Sequence, residues 1–180
     1  MEKEILTIKG NYKIRKFKEE DLLRVVEINR LCLPENYSPF FFLELYKSYP
    51  ETFIVAEHEN RLIGYVMVRV ETGFSDFHRF KITKKGHIVS IAVMPEHRLR
   101  GVGSALMITT LKNMVQHYKC HETYLEVRVS NLSAISLYKK LGYKEIRVIP
   151  HYYLDGEDAL LMSRELKPED ILKLESLDKG

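Results

Sequence analysis

The stretch HIVSIAVMPEHRLRGVGSALMITTL, residues 87–111, decides how this chain folds. His87 to Val93 is an apolar, β-branched run of strand length. Pro95 ends it, because proline cannot donate to a sheet ladder. Arg98-Leu99-Arg100-Gly101-Val102-Gly103 follows, and then an apolar helical pattern begins. Met107, Ile108, Leu111, Met114, Val115 and Tyr118 fall on one helical stripe. Two glycines therefore sit where a helix starts, with two arginines close before them.

That placement suits an anion. The first turn of a helix leaves backbone N–H groups without partners, and the helix dipole adds partial positive charge there. Glycines let a ligand approach the backbone closely. A phosphate held at this bend would be reinforced by Arg98 and Arg100. Of three phosphate-loop patterns, the P-loop needs G-x-x-x-x-G-K-[ST], which the chain lacks. The dinucleotide fingerprint needs a third glycine, and Gly101-Val102-Gly103 is followed by Ser104-Ala105-Leu106. The pattern present is R-x-x-G-x-G. After a proline-stopped strand it resembles the acetyl-CoA loop of the GNAT acyltransferase superfamily. The alternative is an ordinary strand-to-helix loop with glycines at the bend.

Working outward, 180 residues suffice for one domain with a full core. A net charge of +3 is too small to argue for a nucleic-acid partner. There is no apolar run of membrane-spanning length and no signal-peptide pattern at the N-terminus, so no membrane partner and a cytoplasmic location are expected. Cys32 and Cys120 lie far apart without C-x-x-C spacing and read as free, small hydrophobic residues. The seven histidines show no zinc spacing, so no metal is expected.

The remaining segments are expected as follows. Residues 1–10 are a short polar lead, and Tyr12 to Phe17 is a first strand. Asp21 to Leu33 is a helix ended by Pro34. A turn-rich connection, Leu33 to Pro39, leads into a short second helix through Phe40-Phe41-Phe42 to about Tyr49. Three consecutive aromatics cannot share one helix face, so at least one should line a pocket or the adjacent loop. Thr52 to Glu59 and Arg61 to Glu71 form a hairpin around Asn60, in which Gly64 marks a bulge or a bend. Residues 72–86 are an irregular basic loop. Beyond the central helix, Thr123 to Val129 is a strand and Asn131 a helix N-cap. Leu132 to Leu141 is a helix with Gly142 at its C′ position. Tyr143 to Ile149 and Asp158 to Leu166 are the last two strands. The order β α α β β β α β α β β implies an α/β fold, a mixed twisted sheet of about seven strands with helices on both faces and one right-handed parallel crossover. It forms a single domain over 1–166, with a charged tail over 167–180 that is either a terminal helix or mobile.

The likeness extends beyond the glycine bend. Leu33-Pro34-Glu35-Asn36-Tyr37, Gly86 to Val93, Tyr124-Leu125-Glu126-Val127-Arg128, Asn131 with Ala134, Leu137-Tyr138, and Tyr152-Tyr153 with Gly156-Glu157-Asp158-Ala159 resemble the catalytic subunits of protein N-terminal acetyltransferases. The resemblance covers about Tyr12 to Leu166 and is nearest to the family's archaeal members. It implies the GNAT fold and acetyl transfer from acetyl-CoA, the cosubstrate, to the α-amine of protein N-termini, with broad acceptor specificity. Association with the ribosome or an auxiliary subunit belongs to the same expectation.

The resemblance also assigns roles. Ile91, Ala92 and Val93 would flank the pantetheine and thioester, where a backbone N–H polarises the carbonyl. Leu99, Arg100, Gly101, Val102, Gly103 and Ser104 would hold the pyrophosphate. Asn131 and Tyr138 would contact the cofactor from its far side, the Tyr138 hydroxyl donating to the departing sulfur. The alternative for Tyr138 is a half-buried helix aromatic. His87 and Glu126 are the candidates for the base. A modest base suffices, because an α-amine has a pKa of about 7.7–8.0 against about 10.4 for lysine. The alternative for Glu126 is an outward carboxylate paired with Arg128 or a lysine, since residues 126 and 128 share a strand face. Pro34, Glu35, Asn36 and Tyr37, with Tyr152 and Tyr153, would form the peptide side of the site together with His87 and Glu126. Glu35 would select the first side chain or attract the ammonium. Two other functions stay open: a GNAT enzyme for lysine or small-molecule amines, and a non-catalytic acetyl-CoA-binding module.

Overall fold

A computed structural model describes residues 6–8 and 10–177. Eight strands form one sheet among the described residues: β1 (Leu6–Ile8), β2 (Tyr12–Lys16), β3 (Ile54–His58), β4 (Arg61–Phe74), β5 (Ile82–Val93), β6 (Glu122–Arg128), β7 (Lys144–Ile149) and β8 (Ala159–Glu165). Their spatial order is β1-β2-β3-β4-β5-β6-β8-β7. Only β5 and β6 pair in parallel, as the crossover through the central helix requires. The helices are α1 (Leu22–Cys32), α2 (Pro39–Ser48), α3 (Val102–Tyr118), α4 (Leu132–Lys140) and α5 (Pro168–Leu177).

The sheet separates two apolar clusters. On one face Ile14, Ile54, Val66, Val68, Ile88 and Leu125 pack against Leu106, Met107, Leu111 and Met114 of α3 and Ile135 and Tyr138 of α4. On the other, Val55, Tyr65, Met67 and Ala92 meet Val25 and Ile28 of α1 and Phe42 and Leu45 of α2. Helix boundaries follow local chemistry. The Ser38 hydroxyl accepts from the Phe41 N–H at the start of α2, where Pro39 needs no backbone donor. Asn131 caps α4 through the Ala134 N–H at 3.2 Å. Gly142 follows α4 with φ +84°, a conformation that favours glycine.

Two expectations need correction. The lead contains a strand: β1 pairs with β2, and Gly10 and Asn11 turn the chain with positive φ. Three residues are too few to display an alternation. The expected basic loop over 72–86 is mostly sheet, since β4 continues to Phe74 and β5 begins at Ile82. Its polarity runs against the usual pattern. Lys85 is buried and bonds Asp76 at 2.6 Å, whereas Ile82 is exposed. Of the two readings of the tail after Leu166, the terminal helix is the one found: α5 packs against α3 with Ile171 buried.

The aromatic triplet divides its roles as side-chain spacing demands. Phe42 is fully buried, Phe41 stacks on Tyr37 of the adjacent loop with centroids 5.0 Å apart, and Phe40 is exposed. Gly64 does accompany a bulge. Ala56 pairs with Gly64 and Glu57 with Leu62, leaving Ile63 extra. A Cβ on Gly64 would lie 2.9 Å from the Ala92 carbonyl oxygen. A second bulge leaves Val89 unpaired between Met67↔Ser90 and Val68↔Ile88. It resets the strand phase, so that His87 and Ala92, five residues apart, both address the α1–α2 face.

Candidate active site

The site begins where β5 and β6 part. Their pairing is confined to Lys85↔Glu122, Gly86↔Thr123 and His87↔Tyr124. Beyond His87, β5 is bonded to β4 alone, and β6 to β8 alone. The β6-facing backbone edge of Ile91, Ala92 and Val93 therefore has no strand partner. Such an edge can bond an extended chain laid into the gap.

At the end of β5 the chain makes the glycine bend. Arg98 Nε donates to the Val93 carbonyl at 2.9 Å, folding the bend back on the strand. Leu99 has positive φ and is 98 % exposed. Gly101 is the N-cap of α3 with φ +83° and supplies no side-chain cap. The first amides of α3, from Val102 to Ser104, thus face outward as donors. Arg100 is exposed beside them. Gly103 lets this turn approach α4, where a Cβ would come within 3.3 Å of Leu137 Cδ2. These features fit a diphosphate-bearing ligand.

His87 and Glu126 meet in spite of a separation of 39 positions, with Nε2 and Oε2 2.7 Å apart. Both side chains are largely buried, at 12 % and 15 % exposure. The expected alternative for Glu126 does not hold. Arg128 turns instead to Glu35, to Asp155 at 2.8 Å and to Glu157 at 2.6 Å. Glu35 consequently does not stand free at the entrance; its carboxylate is tied to Arg128. The Arg128 guanidinium also lies 4.1 Å over the Tyr153 ring, and Tyr152 meets Tyr153 edge-on at 5.0 Å. One arginine thereby holds the 34–37 loop to the 150–158 loop.

Residues absent from the sequence reading complete the frame. Asn29, fully buried on α1, donates from Nδ2 to the Glu35 carbonyl at 3.1 Å and accepts the Tyr37 N–H at 3.2 Å. It also bonds the Tyr65 hydroxyl, which reaches Ser90 at 2.8 Å. Asn36 donates to the Pro34 carbonyl, and the Tyr37 hydroxyl to Val89. Burial pushes the Tyr37 phenol above its ordinary value, with Glu35 and Glu126 adding to the effect, so it stays protonated as a donor. The one signal that could have marked Asn29 is a polar residue on the buried stripe of a helix. Arg69 and Tyr124 also contact His87.

Not all candidates converge on one face. Tyr138 packs in the α3–α4 cluster, on the sheet face opposite His87 and Glu126. Its hydroxyl can act with them only through the gap between β5 and β6. Asn131 spends its side-chain oxygen on capping α4. A separate cleft of about 360 Å³, lined by Lys140, Lys144 and Arg164 among others, shares no residue with this site.

Comparison with known proteins bears on the family and the fold. The model of the Acetyltransferase (GNAT) family matches residues 22–143. An N-alpha-acetyltransferase of Sulfurisphaera tokodaii is 50 % identical over 156 residues, covering 86 % of this chain and 93 % of that one. The crystal structure of Ard1 from Thermoplasma volcanium superposes with a TM-score of 0.74 at 31 % identity, covering 87 % of this chain and 98 % of that one. A subunit of the NatB acetyltransferase complex bound to CoA gives 0.72 at 27 % identity, covering 86 % and 99 %.

Proposed function

This chain belongs to the GNAT acetyltransferase family, and we infer from that and from its site that it is an N-alpha-acetyltransferase using acetyl-CoA as cosubstrate. The observation that carries the reading is the His87–Glu126 pair beside a strand gap that ends at an uncapped helix N-terminus.

Acetyl-CoA supplies the activated acetyl group. The first amides of α3, with Arg100, are suited to its diphosphate, and the free edge of Ile91 to Val93 to its pantetheine arm. The acceptor α-amine then lies between the 34–37 and 150–158 loops, where Tyr37, Tyr152 and Tyr153 offer rigid walls and hydroxyls to a peptide. As the C–N bond forms and the C–S bond breaks, the nitrogen gives up one proton and the sulfur takes one. The His87–Glu126 pair is placed to receive the first, directly or through a water. Tyr138 would donate the second across the gap and recover its proton from solvent. At neutral pH roughly a tenth of α-amines are already neutral, against about one lysine in a few thousand, so an unforced base favours N-termini.

The reading extends to a cytoplasmic enzyme; the described residues contain no helix long and apolar enough to cross a membrane. Work at the ribosome or with an auxiliary subunit belongs to the same proposal, supported for the subunit by a structural relative that is part of a complex. A panel of short peptides, free or blocked at the α-amine, offered with acetyl-CoA to purified protein tests the activity. Free N-termini should be acetylated. Acetylation of lysine in blocked peptides, with free N-termini untouched, would overturn the reading.

A further inference from the structure

Resting on that functional reading, we propose that Arg69 is a positioning residue. It keeps Nδ1 of His87 bare, so that the ring stays a neutral donor to Glu126 and Glu126 takes the acceptor's proton.

Arg69 sits on β4 directly opposite His87. Its Nη2 lies 3.3 Å from His87 Nδ1. A guanidinium only donates, so Nδ1 must present its lone pair to Arg69. The ring proton of neutral His87 then resides on Nε2 and is donated to Glu126 Oε2 at 2.7 Å. Both ring nitrogens are thus engaged, one as acceptor and one as donor. Neither offers a lone pair to an amine or to a water that has taken its proton. Glu126 is in the opposite condition: one oxygen accepts from His87, and the carboxylate keeps lone pairs for a further proton.

The surroundings hold the imidazole in this setting. The Tyr124 ring lies flat against it, centroids 4.4 Å apart and planes 4° from parallel. The Tyr124 hydroxyl donates to Glu71, and Glu71 also pairs with Arg69 Nε at 3.4 Å. One carboxylate on β4 therefore anchors both the residue that bonds the ring edge and the residue that covers the ring face. Lys85, two positions before His87 on β5, lies 4.7 Å over the Tyr124 ring. In the proposed step the nitrogen's proton passes to Glu126 and from there to solvent. His87 keeps its own proton throughout and orients the carboxylate.

The test joins a spectroscopic readout to a kinetic one. Long-range ¹H–¹⁵N correlation of the imidazoles in uniformly labelled full-length protein, with His87 assigned through His87→Gln, should show Nε2 protonated and Nδ1 bare. Arg69→Met should let Nδ1 take up a proton as well, since the Glu126 carboxylate still holds the one on Nε2. It should lower kcat roughly tenfold to a hundredfold, a part of the ~10²–10⁴ that a well-set base contributes, and leave the KM for acetyl-CoA unchanged. Arg69→Lys, which keeps a donor on the strand, serves if Arg69→Met does not fold; it should fall between the two. A proton on Nδ1 in the unsubstituted protein would overturn the proposal. So would an Arg69→Met variant that protonates Nδ1 without slowing turnover, or slows turnover with Nδ1 still bare. The spectrum is read without any acceptor peptide. Failure of the peptide panel would therefore remove the functional reading and still leave the tautomer assignment to be judged.

Discussion

The donor end of the site and its acceptor end are built by different means. At the donor end, one continuous run from Ile91 to Ser104 supplies nearly everything through its backbone: an unpaired strand edge, a glycine bend and the first turn of α3. At the acceptor end, side chains from α1, β4, β5, β6 and two loops converge, joined by charged contacts at Arg128, Glu126 and Arg69. On the proposed reading, main-chain groups would hold a ligand whose shape is constant. Side chains can be exchanged one at a time, which on the same reading would suit an end that meets many peptides. Two helix starts show the same division: α4 is closed by its own Asn131, whereas α3 is left open.

Substitutions can break this contrast or sharpen it. The largest effect is expected for Glu126→Gln, which should reduce kcat by about 10²–10³ with calorimetric affinity for acetyl-CoA retained. His87→Ala should also slow turnover more than it weakens that affinity. Full turnover in both variants would show that neither residue is the base. Next comes Gly103→Val at the donor end. Its Cβ would crowd Leu137, and its branches would shield the first-turn amides. Affinity for acetyl-CoA should fall roughly tenfold, about 1.4 kcal/mol, while the peptide KM stays put.

Arg128→Met should do the reverse. It leaves Glu35, Asp155 and Glu157 without their shared cation and loosens one acceptor loop from the other. The peptide KM should rise about fivefold, as expected for partly exposed ion pairs, with the KM for acetyl-CoA unmoved. An equal rise in both constants would erase the division between the two ends. The smallest effect is expected for Asn131→Ala. Loss of the cap should cost about 1 kcal/mol and lower Tm by roughly 2–4 °C in a calorimetric scan.

The backbone course of the proposed donor end was legible for a physical reason. Strand, proline stop, glycines and helix lie consecutively, and local backbone preference dictates each. The hairpin at Asn60, the cap at Asn131 and the bulge at Gly64 were readable on the same ground. Where local signals conflicted with burial, the reading failed. Lys85 sits in a strand interior because Asp76 and the Tyr124 ring receive its ammonium, and nothing next to it in the chain announces either. Glu126 and Arg128 share a strand face, which kept their pairing open as an alternative that only the fold sets aside.

The chain alone determined its class, its one parallel crossover and the backbone device at the start of α3, because these follow from neighbouring residues competing for the same hydrogen bonds. Only the tertiary structure decided which charges meet. Asn29 under the 34–37 loop, Arg128 among three carboxylates and Arg69 at the edge of His87 are contacts across 6 to 93 positions of chain. Packing two apolar clusters onto a twisted sheet sets such distances, and local sequence preference does not contain them.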